Sequence, residues 1–201
     1  MVQNGVISQK EIYRQVAHLH AANLDQGFLA TMGVGFLSEL YRAIDQCPQS
    51  VLIVKCEQGK VVGFVSGVAA PMSVVYSRLM RRFLIWSMPL FPVLVSPARM
   101  SRVVETLRYA KSESPHHDFP TPELLSIVVA PSCRGKGIAE SMYADLNDYF
   151  RQMQVFQFKI VVGEKLLAAQ KFYVRMGAQP LAEMELHQGT KSVVYVQTVT
   201  Q

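Results

Sequence analysis

Cysteine is scarce in this chain: three in 201 residues, Cys47, Cys56 and Cys133, an odd number with none in a C-x-x-C pair. That argues against a disulfide framework or a zinc site and fits a reducing, intracellular compartment. Charge is thin as well, 17% of residues against 50% hydrophobic. Such a chain has the apolar material for one well-buried core and too little length for two generous domains, so one domain over 1–201 is expected. Between Met1 and His20 there is no basic start followed by an apolar stretch and a small-residue cleavage site, which argues against secretion and for a cytoplasmic protein. Long apolar runs are missing too. The most apolar stretch, Phe83 to Ser96, is 14 residues with two prolines, whereas a membrane-spanning helix needs roughly 20 apolar residues. No helix-turn-helix, zinc finger or aromatic RNA-binding motif accompanies the net charge of +5. Nucleic acid is therefore the weakest of the anionic partners open to it, behind a cofactor phosphate, a nucleotide, an acidic sugar or a membrane surface.

What is present is a regular order of elements. Ser8 followed by Glu11 forms a capping box, and Ile12, Val16, Leu19 and His20 follow at helical spacing, which predicts a helix near 8–22. From Gly33 to Ile44, Phe36, Leu37, Leu40, Tyr41 and Ile44 repeat at three and four, an amphipathic helix before Cys47-Pro48. Val51–Lys55 and Val61–Val68 flank Glu57-Gln58-Gly59-Lys60 and read as a β-hairpin. Residues 71–118 change character, with many arginines and prolines, and read as an insertion. Within it Arg78, Arg81 and Arg82 share one helical face and Val75, Leu79, Phe83 and Trp86 another. That pattern suits a helix packed on the core with a solvated basic side, or one lying on a membrane surface. After Pro122 come strand 123–130, helix 137–153, strand 155–162, helix 166–176 and strands near 180–187 and 192–199. This β-α-β-α-β-β order predicts a mixed sheet flanked by helices.

The chemistry concentrates where strand 123–130 stops. Pro131 ends the apolar run, and Ser132-Cys133-Arg134-Gly135-Lys136-Gly137-Ile138-Ala139 opens the next helix. Glycines let a backbone approach a ligand closely, and the free amides and dipole of a helix N-terminus form an anion site. A pyrophosphate suits it, with Arg134 or Lys136 adding charge; a tight strand-to-helix connection would also use these glycines. The string is not G-x-x-x-x-G-K-[ST]. Nor is it G-x-G-x-x-G, since position 140 is Glu.

Arg134 to Ala139 resembles the R/Q-x-x-G-x-G/A signature of the GCN5-related N-acetyltransferases (GNAT), and Val129 to Pro131 stands at that family's usual distance before it. Ala169-Gln170-Lys171-Phe172-Tyr173-Val174-Arg175-Met176-Gly177-Ala178 resembles the family's A-x-x-F-Y-x-x-x-G-F/A helix end, and the hairpin ending Val62-Gly63-Phe64-Val65 looks like its strands two and three. The resemblance covers nearly everything outside 71–118. It implies an α/β fold with a mixed, mostly antiparallel central sheet flanked by helices, and a helical insertion between the family's strands 3 and 4. It implies acetyl-CoA as co-substrate, no metal, and transfer of acetyl to an amine. Backbone groups of Ile127 and Val129 would pair with the pantetheine arm. Amides of Gly135, Lys136, Gly137, Ile138 and Ala139, with the Arg134 side chain, would hold the pyrophosphate. The chain departs from the pattern at Leu166, where the family usually carries Asn.

Acyl transfer to an amine needs a base for the ammonium proton and an acid for the leaving thiolate. Tyr173 aligns with the family's acid, although its ring could simply pack beside Phe172. Glu123, six residues before Val129, stands where histone-type members carry a catalytic Glu, and strand alternation would put 123, 125, 127 and 129 on one face; a solvent-exposed strand start is the plain alternative. His116 and His117, with Asp118, end the insertion nearby and offer a base near neutral pH. Cys133 beside a helix N-terminus invites a nucleophilic reading, but the family uses no cysteine there. The basic insertion resembles those of acetyltransferases associated with surface polysaccharide synthesis, which implies a small-molecule acceptor such as an amino sugar or sugar nucleotide. A protein amine, or a non-catalytic acyl-CoA-binding module docking on a membrane through 71–118, is the alternative. A homodimer is compatible with all of these.

Overall fold

The computed structural model describes residues 7–24, 32–75, 77–78, 119–187 and 190–200. Helix α1 (Gln9–Asn23) starts where Ser8 Oγ accepts a hydrogen bond from the Glu11 amide at 3.3 Å, which satisfies one of the donors that a helix start leaves free. It buries Tyr13, Val16, Ala17 and His20, and α2 (Gly33–Asp45) buries Leu37, Leu40, Tyr41, Ala43 and Ile44. Strands β1 (Ser50–Glu57) and β2 (Lys60–Val68) form the expected hairpin. Its two turn residues, Gln58 and Gly59, both have positive φ, 47° and 77°, the backbone that a two-residue turn between twisted strands demands.

Beyond the insertion follow β3 (Glu123–Val129), a 3-10 turn at Pro131–Cys133, α3 (Ile138–Gln152), β4 (Gln157–Gly163), α4 (Leu167–Arg175), β5 (Gln179–His187) and β6 (Thr190–Thr198). The six strands lie in the order β1-β2-β3-β4-β6-β5, and β3 with β4 is the parallel pair among antiparallel neighbours. This is the expected mixed, mostly antiparallel sheet flanked by helices. Of the insertion separating β2 from β3, only 71–75, 77 and 78 are described; Val75 is fully buried against the α1–α2 layer. The rest of its expected helix, with Arg81 and Arg82, lies outside the described residues, as do His116, His117 and Asp118.

Each face of the sheet carries its own apolar layer. On one, Leu37, Leu40, Tyr41 and Ile44 pack with Phe64, Val68 and Val128. On the other, Met142, Tyr143, Leu146 and Phe150 of α3 pack with Val65, Leu124, Phe158 and Ile160. Helix α3 comes close to the sheet because β2 carries Gly67 there: a Cβ on it would stand 2.7 Å from Leu146 Cδ1 and 3.1 Å from Phe150 Cζ.

Two irregularities of β3 shape the site. Its ladder with β2 runs Ser66↔Ser126 and then Gly67↔Leu124, so Leu125 is an extra, unmatched residue. Such a bulge flips the side-chain phase. The expected alternation of 123, 125, 127 and 129 on one face is therefore corrected. Leu124, Ile127 and Val129 pack toward α3, whereas Leu125 and Val128 pack toward α1 and α2. Glu123, paired with Val68 in the ladder, falls on the α1–α2 side. The second irregularity is that β3 pairs with β4 only at Glu123↔Lys159 and Leu124↔Ile160. From there the two strands part.

Candidate active site

The parting of β3 from β4 leaves main-chain groups facing open space. The Ala130 amide donates to Val62 O at 2.8 Å, so by alternation Val128 and Ser126 direct their backbone toward β2, and Ile127 and Val129 direct theirs into the gap. Both residues expected to pair with an extended ligand thus lack a strand partner in the gap, where the Val129 carbonyl accepts from Arg134 instead. The gap is a cleft of about 300 Å³, walled by Asn23 and Leu24 at the end of α1, by β3 from Leu124 to Val129, by Val161 and Val162 of β4, and by Leu166, Phe172 and Tyr173.

At the end of β3 the loop turns sharply at Gly135 (φ 75°) and Gly137 (φ 76°), values that side chains other than glycine's rarely tolerate. A Cβ on either glycine would meet nothing within 4 Å, so glycine is needed there for backbone shape and not for room. Among the described residues no side chain caps the N-terminus of α3. Its first amides stay available, and the residues present fit a phosphate group. Glu140 in that first turn would repel an anion, but it is neutralised by Arg175 Nη2 at 2.6 Å. Lys136, Gly137 and Ile138 also border a second hollow of about 270 Å³ beside Lys55 and Cys56 of β1.

Arg134 takes another course. Its Nε donates to Val129 O at 3.1 Å and its Nη2 to Asn23 Oδ1 at 2.8 Å. The guanidinium therefore spans the cleft mouth between β3 and the end of α1. Cys133 is buried in the α3 layer, and the three cysteines are free.

Tyr173 lines the cleft from α4. Its ring is 5% exposed and packed among Tyr143, Phe172 and Tyr195. Burial raises its pKa well above the ordinary tyrosine value, so the phenol stays protonated through the physiological range. Among the described residues its hydroxyl has no hydrogen-bond partner. Arg175 stacks on Phe172, 5.6 Å from the ring centroid, and reaches Glu140, which locks α4 to α3. Leu166, at the N-cap position of α4, makes no side-chain cap and turns an apolar side chain to the cleft. Gln170 instead ties down the loop before α4, its Nε2 donating to Glu164 O at 2.8 Å and Gly163 O at 3.3 Å.

Glu123 lies at the closed end of the gap, outside the residues that line the cleft. Its side chain is 26% exposed and 3.8 Å from Lys159 Nζ. Burial raises its pKa, and the Lys159 charge offsets part of that rise.

In the chain His20 and Tyr41 stand at helical spacing on separate helices and Ser126 lies within the apolar strand run. The structure joins them. His20 Nδ1 and Tyr41 Oη are 2.6 Å apart in the interior, and Ser126 lines the cleft on the same side of the sheet. Burial holds the His20 pKa down at about 4, so its ring is neutral. Only contact across elements brings these residues together, and no spacing in the chain announces it.

Among the described residues no group of three or more His, Cys, Asp or Glu side chains could hold a metal, and no helix is long and apolar enough to cross a membrane. No curated protein matches the chain in sequence. Solved structures do share its fold. An N-acetyltransferase from Staphylococcus aureus Mu50 superposes with a TM-score of 0.60 at 15% identity over 96% of both chains. An aminoglycoside 6'-N-acetyltransferase complexed with coenzyme A gives 0.58 at 11% over 100% of this chain and 96% of the other. The protein yncA from Salmonella typhimurium, solved with acetyl-CoA, gives 0.57 at 16% over 96% and 89%. The model of the acetyltransferase (GNAT) family matches residues 21–178. That match runs from the end of α1 past α4 and so takes in the parted strands, the glycine loop and Tyr173: the chain belongs to the GNAT acetyltransferase family.

Proposed function

We propose that this protein is an acetyl-CoA-dependent N-acetyltransferase that carries acetyl to the amine of a small molecule, an amino sugar or sugar nucleotide being the acceptor class that its basic insertion favours. The observation that supports the reading best is the unpaired edge of β3. The backbone groups of Ile127 and Val129 offer a ladder to an extended amide-bearing arm, and the uncapped α3 amides stand at the end of that ladder, where the arm's phosphates would lie. Acetyl-CoA supplies the acyl group as a thioester.

The protein's part is to hold, orient and move protons. An amine nucleophile must be neutral to attack. As its nitrogen bonds to the acyl carbon and the carbon–sulfur bond breaks, one proton must leave nitrogen and one must reach sulfur. Tyr173 is the proposed acid: buried, protonated, and with its hydroxyl unclaimed in the cleft. Glu123 is the proposed base, acting through water from the closed end of the gap, and its raised pKa makes it the better proton acceptor. Arg134 must release Val129 O and Asn23 if it is to meet the phosphates, so ligand entry and the α1 contact compete for one side chain.

The test is thiol release from acetyl-CoA against a panel of amines, amino sugars and a peptide amine. Turnover of a small amine is expected, and Tyr173→Phe should lower kcat about a hundredfold, the usual scale for a lost proton donor, with acetyl-CoA affinity unchanged. Acetyl-CoA binding with no small amine consumed would favour a protein amine or a non-catalytic module.

A further inference from the structure

Arg134 is an exposed cation of the glycine loop, yet its hydrogen bonds go to neutral oxygens across the cleft mouth. Among the described residues no carboxylate neutralises it. One of the two oxygens is Val129 O, 3.1 Å from Nε. That carbonyl is directed into the gap, so the Nε–H stands where the N–H of an extended ligand would bind. The other is Asn23 Oδ1, 2.8 Å from Nη2. The Asn23 amide is held at both ends, since its Nδ2 donates to Leu19 O at 2.9 Å within α1. A backbone carbonyl can only accept and a guanidinium can only donate, so the two contacts together fix which end of the amide is the oxygen. Helix α1 is itself anchored through Tyr13, Val16, Ala17 and His20. Its last turn therefore presents Oδ1 to Arg134 from a fixed position.

A guanidinium gains more from phosphate oxygens than from neutral ones, since charge-assisted bonds are roughly twice as strong. Phosphates can thus draw Arg134 away. On loading, the arm's amide replaces Nε–H at Val129 O and the phosphates replace both neutral oxygens at the guanidinium. Asn23 Oδ1 is the one group that the ligand does not satisfy again. The contact it loses lowers the observed affinity by the fraction of molecules in which Arg134 stands free. We propose that Asn23 is a latch that sets the affinity of the acetyl-CoA site, holding Arg134 in the ligand's own place until phosphates break the contact. The proposal rests on the acetyltransferase reading and adds to it an autoinhibitory contact from α1, an element outside the phosphate loop. Because the phosphates oppose the latch, it acts on acetyl-CoA and CoA alike.

The experiment is calorimetric titration of the full chain with acetyl-CoA and with CoA. Asn23→Ala adds no contact to either ligand and is expected to tighten both about fivefold, the scale of one exposed hydrogen bond. Misfolding can only weaken binding or lower the number of sites, so a gain in affinity is not a stability effect. In the Arg134→Ala background the same substitution should leave both dissociation constants unchanged, because no latch remains to open. Asn23→Leu, close to asparagine in size, repeats the test should melting curves show Asn23→Ala to be unfolded. Unchanged or weaker acetyl-CoA binding in the folded variant, tightening for one ligand alone, or equal tightening in the Arg134→Ala background overturns the proposal. A wild type that binds no acetyl-CoA brings down the acetyltransferase reading instead, and the two failures are told apart by that titration.

Discussion

A buried histidine carries information that can be read from solution stability. His20 is held neutral with a pKa near 4 against an ordinary 6.5, the cause being its burial between α1 and α2. A basic group whose folded pKa is depressed contributes stability that is fully present above its unfolded pKa and is lost as pH falls toward the folded value. The interval from 6.5 to about 4 corresponds to roughly 3 kcal/mol. The melting temperature of the wild type should therefore fall by several degrees between pH 7.5 and pH 5. His20→Gln should start lower at pH 7.5 but fall less, and equal slopes for the two proteins would show that His20 does not titrate this way. Gly137 makes a second residue-scale case. Its φ of 76° opens α3, and with nothing near its Cβ position an alanine would cost backbone strain and no collision. Strain of about 1–3 kcal/mol at one residue would reshape the loop and weaken acetyl-CoA binding about tenfold or more.

At the scale of elements, the close fit of α3 on β2 depends on Gly67, whose missing side chain leaves room for Leu146 and Phe150. Gly67→Ala should lower stability by about 1–3 kcal/mol, the cost of overpacking a filled core, as measured by urea denaturation. Which elements could be read from the chain follows from what announces them. Ser8 with Glu11, the three-and-four spacing in α2, and Gly59 between two β-rich runs each signal an element locally, and α1, α2 and the hairpin appear where these signals stand. The glycine loop was legible for the same reason, since Gly135 and Gly137 exist for their backbone. The bulge at Leu125 was not. Leu124 to Val129 is an apolar run apart from Ser126, and such a run looks the same whichever face each residue takes, so the misplaced face of Glu123 followed. The parting of β3 from β4 is an absence of pairing, which no residue type marks, and the direction taken by Arg134 depends on Asn23, 111 residues away.

On the scale of the whole molecule, the sheet separates two helical layers, and the cleft opens where β3 and β4 part, between the end of α1 on one side and α3 with α4 on the other. A ligand lodged there would touch both layers. Acetyl-CoA at a hundred times its dissociation constant should add about 2.7 kcal/mol of stability and raise the melting temperature accordingly. That contact is tested most directly by calorimetric titration of the full chain with acetyl-CoA. The expected result is saturable binding with one acetyl-CoA per chain, weakened in Gly137→Ala and unchanged in Tyr173→Phe. The absence of any saturable heat with the wild type, or equal binding to Gly137→Ala, would contradict the assignment of the β3 edge and the α3 N-terminus as the acetyl-CoA site.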